Sequence, residues 1–109
     1  MHIIITRPIE DCLELIRNLK ILNHTITHLP LINIKGIANK NNNFENYKGI
    51  IFTSSNAIKN FDTKEIDKKI YCYCVGLATE VTAKLNGFQN IYTAEGNVVN
   101  LKEIILQTF

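Results

Sequence analysis

Short apolar runs alternate with stretches of three- and four-residue apolar spacing from Ile3 to Ile105. Ile3-Ile4-Ile5 is a β-branched run of the kind that fills a parallel strand buried on both faces. Thr6-Arg7-Pro8 ends it, and Pro8 suits a first helical turn, where its missing N–H costs nothing. Cys12, Leu15, Ile16, Leu19 and Leu22 then recur mostly at three- and four-residue steps, which predicts one apolar helix face. Glu10 and Asp11 early and Arg17 and Lys20 later match the helix dipole, and Asn23 suits a left-handed stop. Thr25 to Leu29 reads as a second strand that Pro30 interrupts. Leu31, Ile32 and Ile34 continue it as an extended exit towards Gly36. Residues 36–48 hold the Asn-rich run from Asn39 to Asn43 and few apolar side chains, so they read as an exposed linker.

Gly49-Ile50-Ile51-Phe52 follows as a strand expected to be buried on both faces. It runs into Thr53-Ser54-Ser55-Asn56, residue types whose side-chain oxygens cap a helix start, and a short helix is expected from about Ser55 to Phe61. A strand ending at a helix start turns N–H donors outward, a ready anion site, and ligands of open α/β sheets sit at that end of the strands. Asp62 to Lys69 is charged and predicts a turn with a broken helical stretch. Ile70 to Val75 is another strand, in which Tyr71 and Tyr73 face one side of the sheet and Cys72 and Cys74 the other. Gly76-Leu77-Ala78-Thr79 then opens a helix in which Leu77, Val81 and Leu85, beside Ala78, form the expected apolar stripe. Asn86-Gly87 stops it. Ile91-Tyr92 is a short strand, Ala94 to Asn97 a turn with Asn97 as cap, and Val98, Leu101, Ile104 and Ile105 mark a last amphipathic helix. Strand–helix alternation throughout places the chain in the α/β class with a mainly parallel sheet.

The chain has 109 residues, one small domain by the usual prior, with 46% hydrophobic and 20% charged residues, a balance ordinary for a soluble globular protein. A net charge of +2, with cations spread along the chain, makes no case for a nucleic-acid partner. No apolar run approaches the ~20 residues that span a bilayer. The start, Met1-His2-Ile3-Ile4-Ile5 followed by Thr6-Arg7, is too short and too uncharged for a signal peptide, so a cytoplasmic location and no membrane partner are expected. Cys12, Cys72 and Cys74 are odd in number and unpaired in spacing, which argues for buried free thiols over a disulfide scaffold or a metal site. His2, His24 and His28 show no partner pattern and read as structural or solvent-facing. No G-x-G-x-x-G follows a strand, so a Rossmann reading fails.

Five stretches together resemble the uroporphyrinogen-III synthase family: Ile5-Thr6-Arg7-Pro8; Leu29 to Ile34; Ile51-Phe52-Thr53-Ser54-Ser55-Asn56-Ala57-Ile58; Val75-Gly76-Leu77-Ala78-Thr79; and Ala94-Glu95-Gly96-Asn97. Their order and spacing fit its N-terminal half. The resemblance implies two flavodoxin-like, three-layer α/β lobes joined by a two-stranded ladder. Lobe one is built from both chain ends, and the cleft lies between the lobes. Residues 1–35 would open lobe one as a β-α-β unit plus a ladder strand. Residues 36–48 would be the linker and 49–109 the first part of lobe two, an incomplete two-lobed architecture.

The family's reaction cyclises hydroxymethylbilane, a linear tetrapyrrole, with inversion of the last pyrrole ring and loss of water. It is a lyase of tetrapyrrole and haem biosynthesis that uses no cofactor or metal. Carried over residue by residue, its cleft-lining turns fall on Thr6 and Arg7, on Thr53, Ser54, Ser55 and Asn56, and on Gly76, Leu77, Ala78 and Thr79, as binders of substrate carboxylates. Tyr47, Tyr71, Tyr73 and Tyr92 do not match the family's tyrosine that helps the hydroxyl leave, so no catalytic residue is assigned. Capping alone remains an alternative role for Ser54, Ser55, Asn56 and Thr79. Gly76 can serve turn geometry alone, and Arg7 can pair with Glu10 or Asp11. The functional alternatives are a non-catalytic fragment, a partner-binding subunit of a split synthase, or a small flavodoxin-like anion-binding domain. An incomplete sheet with open edges also predicts self-association, or a second chain supplying the missing half.

Overall fold

The computed structural model describes residues 1–38 and 43–108. The Asn-rich run expected as an exposed connection lies, apart from Asn43, outside the described residues. The chain divides into two compact units, Met1–Lys35 and Gly36–Phe109. Each holds its own parallel sheet, of two and three strands, with four α-helices between them among the described residues. The α/β class expected from the alternation is the class that forms, and its parallel sheets fit a flavodoxin-like fold.

In the first unit, β1 (His2–Ile5) pairs in parallel with β2 (Thr25–His28), Ile3 opposite Ile26 and Ile5 opposite His28. The connection is a 3-10 turn, Ile9–Asp11, followed by α1, Leu13–Ile21. The helix expected from Pro8 onward is therefore interrupted. Cys12 has φ −134° and ψ 5°, outside helical values, and its buried thiol donates to the Pro8 carbonyl at 3.3 Å. Asn23 stops the helix with φ 62°, as its residue type suggests. One helix covers one face of a sheet. Ile5 is buried, whereas its neighbour Ile4, pointing the other way, is 62% exposed. The triple isoleucine run is thus not buried on both faces within this unit.

In the second unit, β3 (Gly49–Phe52), β4 (Tyr71–Val75) and β5 (Asn90–Ala94) lie side by side in that order, all parallel. Alternation along the strands sorts the core into two layers. One face presents Ile50, Phe52, Cys72, Cys74 and Ile91 to Ile58 of α2 (Ser55–Lys59) and Ala83 of α3 (Leu77–Leu85), with Phe88 meeting Phe52 edge-on at 5.8 Å. The other presents Tyr71, Tyr73, Val75, Tyr92 and Ala94 to Leu101, Ile104 and Ile105 of α4 (Val98–Thr108). Tyr73 is buried, stacks on Tyr92 at 5.6 Å and shares a hydrogen bond of 2.9 Å with the Thr108 hydroxyl. Gly49 makes room for that ring, since a Cβ there would sit 3.2 Å from its edge. Tyrosines and cysteines take opposite faces as the strand period requires, and all three cysteines are buried free thiols.

Three expectations fail here. Leu77, Val81 and Leu85 do not pack on the sheet; they are exposed at 70%, 48% and 82%. The inner face of α3 carries Thr79 and Ala83 instead, whose small side chains let the helix lie close to the sheet. Periodicity identified a helix but not which of two faces turns inward. Similarly, β3 is not covered on both sides. Ile51 shares the face of Tyr73 and Tyr92, but the α4 core lies over β4 and β5, so Ile51 stays 51% exposed. Residues 62–69 form turns without a helical segment.

Candidate functional site

Because β3, β4 and β5 are parallel and in register, with Phe52 opposite Cys74 and Val75 opposite Ala94, their carboxyl ends share one edge of the sheet. That edge is where an open parallel α/β sheet holds ligands, since the strands end there and the helices begin. It brings together two of the three stretches expected to form the site. Thr53 to Asn56 leaves β3, with Thr53 exposed and Ser54, Ser55 and Asn56 half-buried. Gly76 to Thr79 leaves β4. Thr6 and Arg7, both exposed, leave β1 at the matching edge of the two-stranded sheet.

Each turn has a physical reason for its shape. Ser54 has extended backbone, φ −150° and ψ 142°, and its hydroxyl accepts from the Asn56 N–H at 3.2 Å, so it caps α2. Gly76 sits at φ 84° and ψ 154°, a region that essentially only glycine occupies. Its N–H donates to the Ala94 carbonyl at 3.0 Å, which ties the β4 exit to β5. Leu77 and Ala78 are exposed on the first turn of α3, where helical N–H groups lack intrahelical partners. Thr79 is 3% exposed and faces the core, so its side chain belongs to packing and only its backbone belongs to the helix start.

A third turn at the same edge was read from sequence as a cap but not as part of the site. Gly96 has φ 83°, the Asn97 side chain accepts from the Asn100 N–H at 2.9 Å, and the Asn100 amide donates to the Glu95 carbonyl at 3.1 Å. In the first unit, His28 donates through Nε2 to the Arg7 carbonyl at 2.7 Å, and the Leu31 N–H donates to the Thr6 carbonyl at 3.0 Å. These bonds fix the turn that carries the Arg7 guanidinium. His28 was expected to be structural or solvent-facing, and a partner this distant in sequence leaves no local signal. A concavity of about 340 Å³ beside this turn is lined by Pro8, Ile9, His28, Pro30 and Leu31, among others.

The electrostatics favour neutral recognition in the second unit. Its two expected stretches, 53–56 and 76–79, carry hydroxyls, an amide and backbone N–H groups but no cation. Arg7 is the one cation among the ten expected site residues. A second concavity, about 500 Å³, lies at the opposite, amino edge of the sheet, beside Lys48, Ile70 and Asn90. Its lining mixes Lys48 and Lys69 with Glu45, Glu65 and Asp67, so it presents no consistent field to an anion. Away from both edges, Cys72 and Cys74 lie with their sulfurs 3.8 Å apart; the hydrogen bond to Cys74, together with burial, pushes the Cys72 thiol up from its ordinary value, so it stays protonated. Among the described residues no group of three or more His, Cys, Asp or Glu side chains is arranged to hold a metal, and no helix is long and apolar enough to cross a membrane.

Fold and strand-end turns together define a parallel α/β protein. The family model described as uroporphyrinogen-III synthase HemD matches residues 14–108. The chain belongs to that family. Membership supports a uroporphyrinogen-III synthase-like function. No curated protein and no solved structure matches the chain.

Proposed function

We propose that the chain acts in tetrapyrrole biosynthesis on hydroxymethylbilane, contributing to its closure to uroporphyrinogen III with inversion of the last ring. The match to the synthase family over residues 14–108 carries this reading. Loss of the substrate's hydroxyl leaves a reactive cation that attacks the terminal ring through a spiro species. The protein's task is to hold the chain of rings in one shape and keep water away. The substrate's many carboxylates suit Arg7 and the hydroxyls and N–H groups of Thr53 to Asn56 and of Gly76 to Thr79. No side chain is assigned to assist departure of the hydroxyl.

The test is an assay of the purified chain with freshly generated hydroxymethylbilane, scoring III against I isomer. The I isomer forms without an enzyme. Excess III isomer is expected, falling when Thr53 is changed to Val or Arg7 to Gln. Formation of the I isomer alone overturns the catalytic reading. A second reading, a partner-binding subunit, is favoured by the Leu77, Val81 and Leu85 stripe of α3, which stays exposed among the described residues. It predicts III-isomer formation only after a partner is added.

A further inference from the structure

One face of the three-stranded sheet carries polar groups that apolar packing does not need. Cys72 and Cys74 of β4 are both 0% exposed, and their sulfurs lie 3.8 Å apart. Phe52, Ile58, Ile66, Ala83 and Phe88 share that core and supply no polar side-chain atom. Opposite Cys74 in the register of β5 stands Thr93. Its hydroxyl is buried and has no hydrogen-bond partner among the described residues. An unpaired buried hydroxyl is destabilising, and valine has the same shape without that penalty. On the Cys72 side, the Lys68 ammonium donates to the Thr63 carbonyl and sits 4.6 Å from the centre of the Phe88 ring. The hydrogen bond to Cys74 and burial push the Cys72 thiol up, and the charge of Lys68 pulls the other way.

Two thiols placed in this way share a metal ion more readily than they join. Residues two apart on a strand have Cα atoms about 6.6 Å apart, at the upper limit for a disulfide. Two metal–sulfur bonds of ~2.3 Å reach about 4.6 Å when straight. The pair therefore brackets an ion in a bent arrangement or after a small outward turn of the side chains. The donors select the ion. Zinc asks for four ligands, and among the described residues no third His, Cys, Asp or Glu is arranged to join the pair. Soft thiolates select copper(I), which is stable with two of them. Ile66 and Lys68 reach this core from the turns of residues 62–69, so an ion enters by local opening of turns and not of the sheet.

We propose that Cys72 and Cys74 form a two-coordinate site for copper(I), with Lys68 and Thr93 stabilising its charge. The ion replaces both thiol protons, which pass to solvent, and no electron moves. Two thiolates around one monovalent cation leave a single negative charge in the core. The Lys68 ammonium offsets it from the Cys72 side. The Thr93 hydroxyl, idle in the metal-free protein, gains the Cys74 thiolate as an acceptor. Outer groups of this kind change metal affinity by about 10–100-fold. Glu80 of α3, paired with Lys84 at 3.7 Å, is the charge that opposes the anion on the Cys74 side. The site lies wholly within the second unit and is independent of the proposed function. Cys12 is the single cysteine of the first unit.

Anaerobic titration of the reduced, intact chain against the copper(I)–bicinchoninate complex tests the site. The folded chain is expected to withdraw one copper per chain, and Cys12→Ala to do the same. Cys72→Ala and Cys74→Ala should each lose that copper. Thr93→Val should weaken binding about tenfold while the copper-free melting temperature stays level or rises, which a packing role would not produce. Lys68→Gln should weaken it to a similar degree. X-ray absorption of the copper-loaded wild type should show two sulfur neighbours and no nitrogen; it needs no variant, so a cysteine variant that fails to fold leaves the test intact. A folded wild type that withdraws no copper overturns the proposal. Capture that depends on Cys12, that survives loss of Cys72 or Cys74, or that shows a nitrogen neighbour overturns it equally. So does copper uptake that begins only once urea has unfolded the chain, because the folded pair is then not the site. Unchanged affinity in Thr93→Val and Lys68→Gln overturns the roles given to those two residues.

Discussion

The second unit packs helices on both faces of its sheet, fully over β4 and only in part over β3, and the first buries one face. Three strands with helices on either side give Tyr73, Cys72, Cys74, Ala83 and Ala94 full burial, each at 2% exposure or less. Two strands with one helix bury Ile5 and Cys12, and α1 has no buried residue at all. Parallel pairing suits sheets covered on both faces, so the same kind of strand is stabilised very differently in the two places. Small sheets depend on cover more than on strand composition, because the free energy comes from apolar area removed from water. Ile3-Ile4-Ile5 shows this: its residues are as apolar as those of any strand in the chain, yet the middle one stays in solvent.

The sharpest way to break this contrast is Tyr73→Ala. It removes a buried ring, its stack on Tyr92 and its bond to Thr108, and should cost about 3–5 kcal/mol. Urea unfolding followed by near-ultraviolet circular dichroism measures it. Ile5→Ala, at the best-buried position of β1, should cost about 2 kcal/mol, because fewer groups surround the cavity. Native-state hydrogen exchange at high dilution should show the loss in β1 and β2 and spare β4. If Ile5→Ala proved as costly as Tyr73→Ala, the unequal cover described above would be wrong.

Gly76→Ala meets no steric neighbour within 4 Å, so its cost is purely conformational, about 1–3 kcal/mol for forcing φ 84° on an alanine. A thermal melt compared with Ala78→Gly checks that the backbone, not the removed flexibility, is responsible. Ser54→Ala should cost about 1 kcal/mol by leaving the Asn56 N–H without its cap. The smallest effect belongs to Leu85→Ser: at 82% exposure it should change stability by about 0.5 kcal/mol or less in the monomer. A larger loss, read in the same urea titration, would mean that something covers the outer stripe of α3.

Local signals were read well where one residue type decides the outcome. Ser54 and Asn97 cap the helices they were expected to cap, Asn23 takes a left-handed conformation, and Gly76 occupies a backbone region closed to other residues. These follow from a few neighbouring atoms, and so sequence suffices. The alternation of runs and periodic stretches was enough for the α/β class, since period two and period 3.6 are properties of single segments. The tyrosine and cysteine faces of β4 followed from the same arithmetic.

What only the tertiary structure decided concerns direction and neighbours. α3 turns Thr79 and Ala83 inward and leaves its leucines outside, because close approach to a crowded sheet favours small side chains over large ones. The His28 to Arg7 bond joins β2 to the turn that follows β1 and needs the register of the two strands. The third turn, at Glu95 to Asn97, joins the carboxyl edge only because β5 pairs beside β4 in parallel. Apolar content by itself determined that Ile4 and Ile51 prefer burial; the number of layers around each strand decided that neither obtains it within its own unit.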